Sequence, residues 1–143
     1  MKLVIAADHG GYNIKQAIIA SLKADGYEVA DLGTNDGETS VDYPVYAKAL
    51  CKEIQDGNAE LGILCCGTGI GMSMTANKQK GIRAAVLSDA FSAEMTRRHN
   101  NANVLCLGGR VLTEEQAVSL AKLFVSTPFE GGRHQRRIDM MVD

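Results

Sequence analysis

The sequence predicts one α/β domain, a three-layer α/β/α Rossmann-like sandwich with a five-stranded parallel sheet. Apolar runs alternate with amphipathic segments along all 143 residues, which is the pattern of parallel strands joined by helices. The runs are nearly continuous in Val, Ile, Leu, Ala and Cys, as expected for strands covered on both faces. The length fits a single domain, residues 1–143.

The apolar runs predict five strands in order along the chain. Each run is short enough for a strand, and each is bounded by polar or Gly-rich segments. The predicted strands are Leu3–Ala7, Tyr27–Asp31, Leu61–Cys65, Ile82–Leu87 and Asn103–Leu107.

The segments between these runs predict helices from their apolar spacing and their end signals. Ile14, Ile18 and Leu22 recur at helical spacing before Gly26, which suits a C-terminal cap. Asp42 followed by Tyr43-Pro44 indicates a helix start, because proline is favoured in the first turn.

Later segments carry further helix signals. Thr113 to Gln116 has capping-box spacing, and a helix is expected to begin near Met72. The tail, residues 127–143, follows the last regular unit and is predicted to form a short extra helix.

Composition excludes several classes of protein. Fifteen Lys and Arg against seventeen Asp and Glu give a net charge of −2, which argues against a broad nucleic-acid or membrane-binding face. No apolar run is long enough to span a bilayer, and the N-terminus lacks the pattern of a signal peptide. We therefore expect a cytoplasmic protein. The four cysteines, Cys51, Cys65, Cys66 and Cys106, lack metal-site spacing and are expected to be free thiols, so no structural metal site is predicted. The sequence carries no cofactor motif, so no cofactor is predicted either.

Ligands of open parallel sheets bind beyond the carboxyl ends of the strands. The strand-to-helix loops are therefore the predicted location of the functional site. They are Asp8–Gly11, Gly33–Asp42, Cys66–Gly71, Ser88-Asp89 and Gly108–Arg110.

The loop Cys66-Gly67-Thr68-Gly69-Ile70-Gly71 predicts an anion or oxyanion cradle. Its alternating glycines let several N–H groups point inward at a helix N-terminus. Met72 stands where a dinucleotide fingerprint needs glycine and where a cysteine phosphatase needs arginine, and the end of the loop does not match a Walker A motif. A thiol placed there can act as base or nucleophile. A tight turn with a buried cysteine is the alternative.

Histidines and arginines supply the other candidates. His9 ends the first strand, and His99 ends a predicted helix, where it could simply interact with the helix dipole. In a helical tail Arg133 and Arg137 would share one face and bind an anion, with Arg110 as a further cation. A solvated basic terminus is the alternative.

As a set, the motifs closely resemble type B ribose-5-phosphate isomerase, a family shared with the lactose-pathway galactose-6-phosphate isomerases. The resemblance extends from the first strand to about Arg137. It rests on Asp8-His9-Gly10-Gly11, Asp42-Tyr43-Pro44, Cys66–Gly71, Ala76-Asn77-Lys78, Gly81-Ile82-Arg83-Ala84, His99-Asn100 with Asn103-Val104-Leu105, and Glu130-Gly131-Gly132-Arg133-His134.

The resemblance implies a metal-free interconversion of ribose 5-phosphate and ribulose 5-phosphate through an enediolate, a step of the pentose phosphate pathway. Cys66 would be the base that moves the proton between C1 and C2, and His99 would open the sugar ring. The enediolate oxygens would be held with the help of Thr68 and by Gly67, Gly69, Ile70 and Gly71.

The same resemblance assigns the rest of the substrate. Asp8 would position the sugar and Asn100 would contact it. The phosphate would bind His9, Arg110, Arg133 and Arg137. The family builds its site at a homodimer interface, so the tail would contribute to the dimer and the phosphate site; a dimer of dimers is a further alternative.

Two other functions stay open from the sequence. One is the isomerisation of a hexose phosphate, galactose 6-phosphate or allose 6-phosphate. The other is a non-catalytic module that binds sugar phosphates, for which a thiol at the head of an anion cradle has no evident use.

Overall fold

A computed structural model of the chain describes residues 1–142. Five strands and six α-helices alternate along them, and a 3₁₀ turn at His9–Gly11 precedes the first helix. The elements are β1 Lys2–Ala7, α1 Tyr12–Ala24, β2 Glu28–Asp31, α2 Tyr43–Gln55, β3 Leu61–Cys66, α3 Ile70–Ala76, β4 Ala84–Val86, α4 Ala90–Arg98, β5 Val104–Gly108, α5 Glu114–Ser126 and α6 Arg133–Asp139.

The five strands form one parallel sheet in the order β2-β1-β3-β5-β4. Ala7 pairs with Cys65, and Cys66 pairs with Gly108. The carboxyl ends of β1, β3 and β5 therefore lie side by side at the centre of one edge. The predicted α/β class and the five-stranded parallel sheet are confirmed.

Helices cover both faces of the sheet because successive strand residues point to opposite sides. In β1, Leu3 and Ile5 belong to one apolar cluster, which contains residues of α1 and α5. Val4 and Ala6 belong to a second cluster, formed with α2 and α3. This division gives the three layers.

The edge strands differ from the central ones. β4 has three residues where the sequence predicts six, and none of the three is fully buried. β2 begins and ends with exposed acidic residues, Glu28 and Asp31. Coverage on both faces thus holds for β1, β3 and β5, whereas an edge strand has a neighbour on one side only.

Most helix signals act as predicted. The Thr113 side chain accepts a hydrogen bond from the Gln116 N–H, and the Gln116 side chain accepts one from the Thr113 N–H, which completes the capping box. Asp42 precedes α2 without a side-chain capping bond. α3 begins at Ile70, two residues earlier than expected, and the tail forms α6.

Chain direction decides which edge each loop occupies. The strands are parallel, so each helix between neighbouring strands returns the chain to the amino ends of the strands. The residues after α4 therefore lie at the amino edge, where the Arg83 side chain, one residue before β4, donates a hydrogen bond to the Asn100 carbonyl at 3.2 Å. Within residues 1–142, no helix is long and apolar enough to cross a membrane.

Candidate active site

A cavity of about 470 Å³ opens at the carboxyl edge of the sheet, beside the end of β3. Most of the loop that follows β3 contributes to its wall, together with side chains from the β1 and β5 loops. The lining residues are Asp8, Tyr43, Cys66, Gly67, Thr68, Ile70, Gly71, Met74 and Arg110. Seven of these nine were site candidates from the sequence.

The glycine loop curls around the sulfur of Cys66. Gly69 has a φ of 83°, a left-handed conformation that favours glycine, and the turn there starts α3. As a result the Gly69 N–H points back and donates a hydrogen bond to Cys66 Sγ at 3.1 Å. Thr68 Oγ1 accepts a hydrogen bond from the Ile70 N–H at 3.2 Å. The loop therefore curls as its glycine spacing predicts, with the thiol at its head, and we call it the cradle.

The loop that follows β5 packs against the backbone of this cradle and supports it. A Cβ at Gly108 would lie 2.7 Å from the carbonyl carbon and oxygen of Thr68, so only glycine allows the two backbones to approach this closely. The Gly109 and Arg110 N–H groups donate hydrogen bonds to the carbonyls of Cys66 and Gly67, at 2.8 and 2.9 Å. These contacts fix the cradle and bring the Arg110 guanidinium over Gly67.

Asp8 and His9 lie at the end of β1, next to the cradle. Asp8 is buried, and its Oδ1 accepts hydrogen bonds from the N–H groups of Gly10 and Gly11 at 2.9 and 3.2 Å. His9 Nδ1 accepts one from the Val41 N–H at 3.2 Å. Because Nδ1 is an acceptor, a hydrogen on Nε2 remains available as a donor.

The four cysteines are free and buried, but their surroundings differ. Cys65 points into the apolar cluster opposite to that of Cys66, and burial raises the pKa of its thiol. Burial also raises the pKa of Cys51, to about 11, and that of Cys106. Among the four, Cys66 is the one that lines the cavity.

A second group of functional candidates surrounds the end of α4, at the amino edge. His99 ends this helix, and its ring stacks on that of His134 from α6 with centroids 4.3 Å apart and planes inclined by 13°. Glu130 Oε1 lies 3.3 Å from His134 Nε2 and 3.8 Å from His99 Nε2.

The basic residues of the tail belong to this second group. Arg133 and Arg137 are one helical turn apart on α6 and are both exposed. Asn100, next to His99, is exposed and lines a separate cavity together with Arg83 and Met141.

One chain therefore brings the candidates together in two groups, not one. Asp8, His9, the cradle and Arg110 lie at the carboxyl edge, whereas His99, Asn100, Arg133 and Arg137 lie at the amino edge. The five residues of β5 between these edges span about 17 Å at the usual rise per residue. None of the amino-edge candidates lines the cradle cavity in the part of the chain that the structure describes.

Over residues 1–142, one set of three His, Cys, Asp or Glu side chains is close enough to share a metal ion. It consists of His99, Glu130 and His134, whose donor atoms lie within 4.8 Å of one another. Zinc ligands converge tetrahedrally on one point. The lone pairs of the two stacked rings lie in nearly parallel planes, inclined by 13° with the ring centroids 4.3 Å apart, so they do not converge on one point and the arrangement suits proton handling better than metal binding.

Four residues of these two groups had no role in the sequence prediction. Tyr43 and Met74 line the cavity, and the Tyr43 ring packs against Gly71. The sequence marks Tyr43 as a helix-start signal and as part of a motif of the resemblance but not as a site residue, although an aromatic residue beside a proline in a functional loop could have marked it as one. Glu130 and His134 stand four residues apart in the tail, yet their contact with His99 depends on where α6 packs.

Comparison with known proteins gives one consistent result. The family model described as Ribose/Galactose Isomerase matches residues 3–141. Ribose-5-phosphate isomerase B of Escherichia coli is 43% identical over 138 residues, which cover 96% of this chain and 92% of that protein.

Solved structures agree. Ribose-5-phosphate isomerase B of Clostridium thermocellum superposes with a TM-score of 0.95 at 45% identity, covering 99% of this chain and 95% of the other. The Mycoplasma genitalium enzyme, solved with bound ribulose-5-phosphate, gives a TM-score of 0.93 at 42% identity, with 98% and 93% covered.

Proposed function

The chain belongs to the ribose/galactose isomerase family, and we propose that it interconverts D-ribose 5-phosphate and D-ribulose 5-phosphate with Cys66 as the base. It is an aldose-ketose isomerase, as its ribose-5-phosphate isomerase B relatives are. The observation that carries the proposal is the position of Cys66 Sγ. Cys66 lines the cavity, and its Sγ accepts a hydrogen bond from the Gly69 N–H.

The proposed reaction moves one hydrogen within the sugar. The Cys66 thiolate takes the proton from C2 of the open aldose, which leaves a cis-enediolate. The hydroxyl proton on O2 passes to O1, the thiol returns a proton to C1, and the ketose forms with its carbonyl at C2. No electrons leave the substrate, so the reaction needs no redox cofactor.

The cradle supplies the stabilisation that this intermediate requires. The Gly71 N–H, in the first turn of α3, has no carbonyl partner within the helix and is available to an oxyanion, whereas the Ile70 N–H already donates to Thr68 Oγ1. Thr68 and Asp8 also line this cavity, and two backbone N–H groups hold the Asp8 carboxylate. Donors fixed before the reaction are worth more than donors that must reorganise.

The sugar phosphate needs more than this edge provides, and we propose that a second copy of the chain completes the site. His99 would open the ring and Asn100 would contact the sugar from the partner. Arg133 and Arg137 of the tail would bind the phosphate together with His9 and Arg110. Two observations support a symmetric homodimer: the candidates divide between opposite edges, and Ile70 and Met74 beside the cavity are 52% and 63% exposed.

Mixing two inactive variants tests the shared site. Cys66→Ala and His99→Asn each remove one group, so each homodimer should be nearly inactive. In random mixed dimers, half of the molecules are hybrids, and each hybrid has one intact site. The mixture should recover about a quarter of the wild-type rate if each site takes Cys66 from one chain and His99 from the other. Absence of recovery, with hybrid formation verified by mass spectrometry, would show that each site uses a single chain.

Substrate choice is tested by rates on three sugar phosphates. We expect the highest kcat/KM on ribose 5-phosphate, compared with galactose 6-phosphate and allose 6-phosphate. Fast hexose turnover beside negligible pentose turnover would reassign the substrate. Binding of all three without turnover would indicate a non-catalytic module.

A further inference from the structure

We infer that Glu130 is a positioning residue for His99, acting through a contact that it shares with the stacked His134. This inference rests on the proposed function, in which His99 opens the sugar ring. It concerns a carboxylate that the reaction scheme above does not use.

The first support is the geometry of the three side chains. One oxygen of Glu130, Oε1, is the nearest carboxylate oxygen to both imidazoles, at 3.3 Å from His134 Nε2 and 3.8 Å from His99 Nε2. The contact is made to the same nitrogen of each ring. His99 Nδ1 has no hydrogen bond among the described residues, so it stays available to a substrate. A base oriented by a carboxylate at one nitrogen and acting at the other is a recurrent arrangement.

The second support is how firmly Glu130 is held. Its N–H donates a hydrogen bond to the Arg98 carbonyl at 3.1 Å, which ties the segment before α6 to the end of α4. Arg98 Nη1 lies 4.0 Å from Glu130 Oε2, and Arg98 Nε binds Glu94 Oε1 at 3.0 Å. The carboxylate therefore has a backbone anchor and a cation on its far side, while Oε1 faces the histidines.

The third support is the burial of His134. The residue is 6% exposed, and its Nε2 is a buried polar atom with no hydrogen-bond partner over residues 1–142. Leaving such a group unpaired costs free energy, so a nearby carboxylate that can pair with it has a clear role. Buried in this way, the His134 ring forms a flat surface on which the half-exposed ring of His99 stacks.

The arrangement has a specific kinetic consequence. If Glu130 positions His99, its loss slows ring opening but leaves the chemistry at Cys66 intact. Ribulose 5-phosphate is open-chain, so exchange of its C1 hydrogen with solvent deuterium reports on the cradle without any ring opening. Net conversion of ribose 5-phosphate reports on both steps.

The test compares Glu130→Gln with Glu94→Gln in the full-length wild-type background. Glu94 binds the same Arg98 and contacts neither imidazole, so its variant is a matched control. For Glu130→Gln we expect kcat on ribose 5-phosphate to fall about tenfold, part of the usual contribution of acid–base catalysis, with KM within about twofold. Exchange at C1 of ribulose 5-phosphate should stay within about twofold of wild type. Glu94→Gln should keep both rates.

Rescue separates positioning from a general structural effect. Glu130→Asp restores the charge on a shorter side chain and should recover most of the lost kcat, whereas thermal unfolding temperatures of all variants should agree closely. The inference is overturned if Glu130→Gln leaves kcat unchanged, or if exchange falls as much as turnover does. Lack of turnover and exchange in the wild type would instead overturn the proposed function, whatever the variants do.

Discussion

The two edges of the sheet carry two different kinds of site. At the carboxyl edge, backbone groups form the cradle, and close approaches between β3 and β5 loops hold it. At the amino edge, long side chains from α4 and α6 form a basic surface in which Arg133 and Arg137 are exposed. The first group is rigid and concave, and the second is open.

The difference reflects what each group would do in the proposed reaction. An enediolate forms only during turnover, and its donors must stand in place beforehand, which a backbone cradle achieves. A phosphate is present throughout and far from the reacting carbons, so flexible arginines can bind it and contribute affinity. Damage to the cradle should therefore lower kcat, and loss of the phosphate-binding arginines should raise KM.

The largest effect is expected at the adjacent cysteines. Cys66→Ala removes the proposed base and should lower kcat by about 10³-fold, since no other thiol lines the cavity in the described residues. Cys65→Ala should retain nearly normal kcat, because Cys65 points into the opposite apolar cluster. Steady-state kinetics on ribose 5-phosphate measures both. Near-normal turnover of Cys66→Ala would remove the thiol from the mechanism.

Thiol labelling at pH 8 tests independently whether Cys66 differs from the other cysteines in reactivity. Burial holds the pKa of Cys51 at about 11 and raises those of Cys65 and Cys106, so these three remain protonated and unreactive at this pH. Iodoacetamide should modify Cys66 first, with loss of activity in proportion, as peptide mass spectrometry would show. Earlier modification of another cysteine would contradict the assignment.

The next largest effect is expected for a glycine-to-alanine substitution, which we compare at one position in each region. Gly108→Ala places a Cβ 2.7 Å from the Thr68 carbonyl and must displace the cradle, so we expect kcat to fall about 10²-fold. At Gly131, just before α6, an added Cβ would lie in open space, but the φ of 74° is unfavourable for alanine. Gly131→Ala should therefore lower the free energy of unfolding by about 1 kcal/mol and change kcat little. Kinetics together with chemical denaturation distinguishes the two outcomes. Equal losses of kcat would contradict a rigid cradle.

The smallest effect is expected on the basic surface. Arg137→Ala removes one charged contact to the phosphate, worth about 2 kcal/mol, and should raise KM about 30-fold with kcat nearly unchanged. Arg136→Ala is the control, because Arg136 is exposed on the same helix and has no assigned contact. An unchanged KM in the Arg137 variant, or equal changes in both variants, would show that the proposed phosphate contact is absent.

Much of the fold was predictable because its signals are local. The Thr113–Gln116 capping box predicts a helix start, and the apolar run of β3 predicts a buried strand, each from a few consecutive residues. β4 was predicted too long, since an apolar run does not reveal that its strand lies at the edge of the sheet. The cradle was predictable for the same local reason, because its loop and its thiol are contiguous in the chain.

The amino-edge group was only partly predictable. The sequence marked His99 and Arg137 as candidates, but it gave no role to Glu130 or His134. The stack of His99 on His134 joins residues 35 positions apart in the sequence, and it depends on the packing of α6 against the end of α4.

The sequence by itself determined the class of fold, the cradle and the thiol at its head, because strand periodicity, glycine spacing and caps are short-range properties. Only the tertiary structure decided that His99 and the tail arginines lie across the sheet from Cys66. The direction in which α4 and α5 return the chain places them there, and such a direction follows from the assembly of the whole sheet.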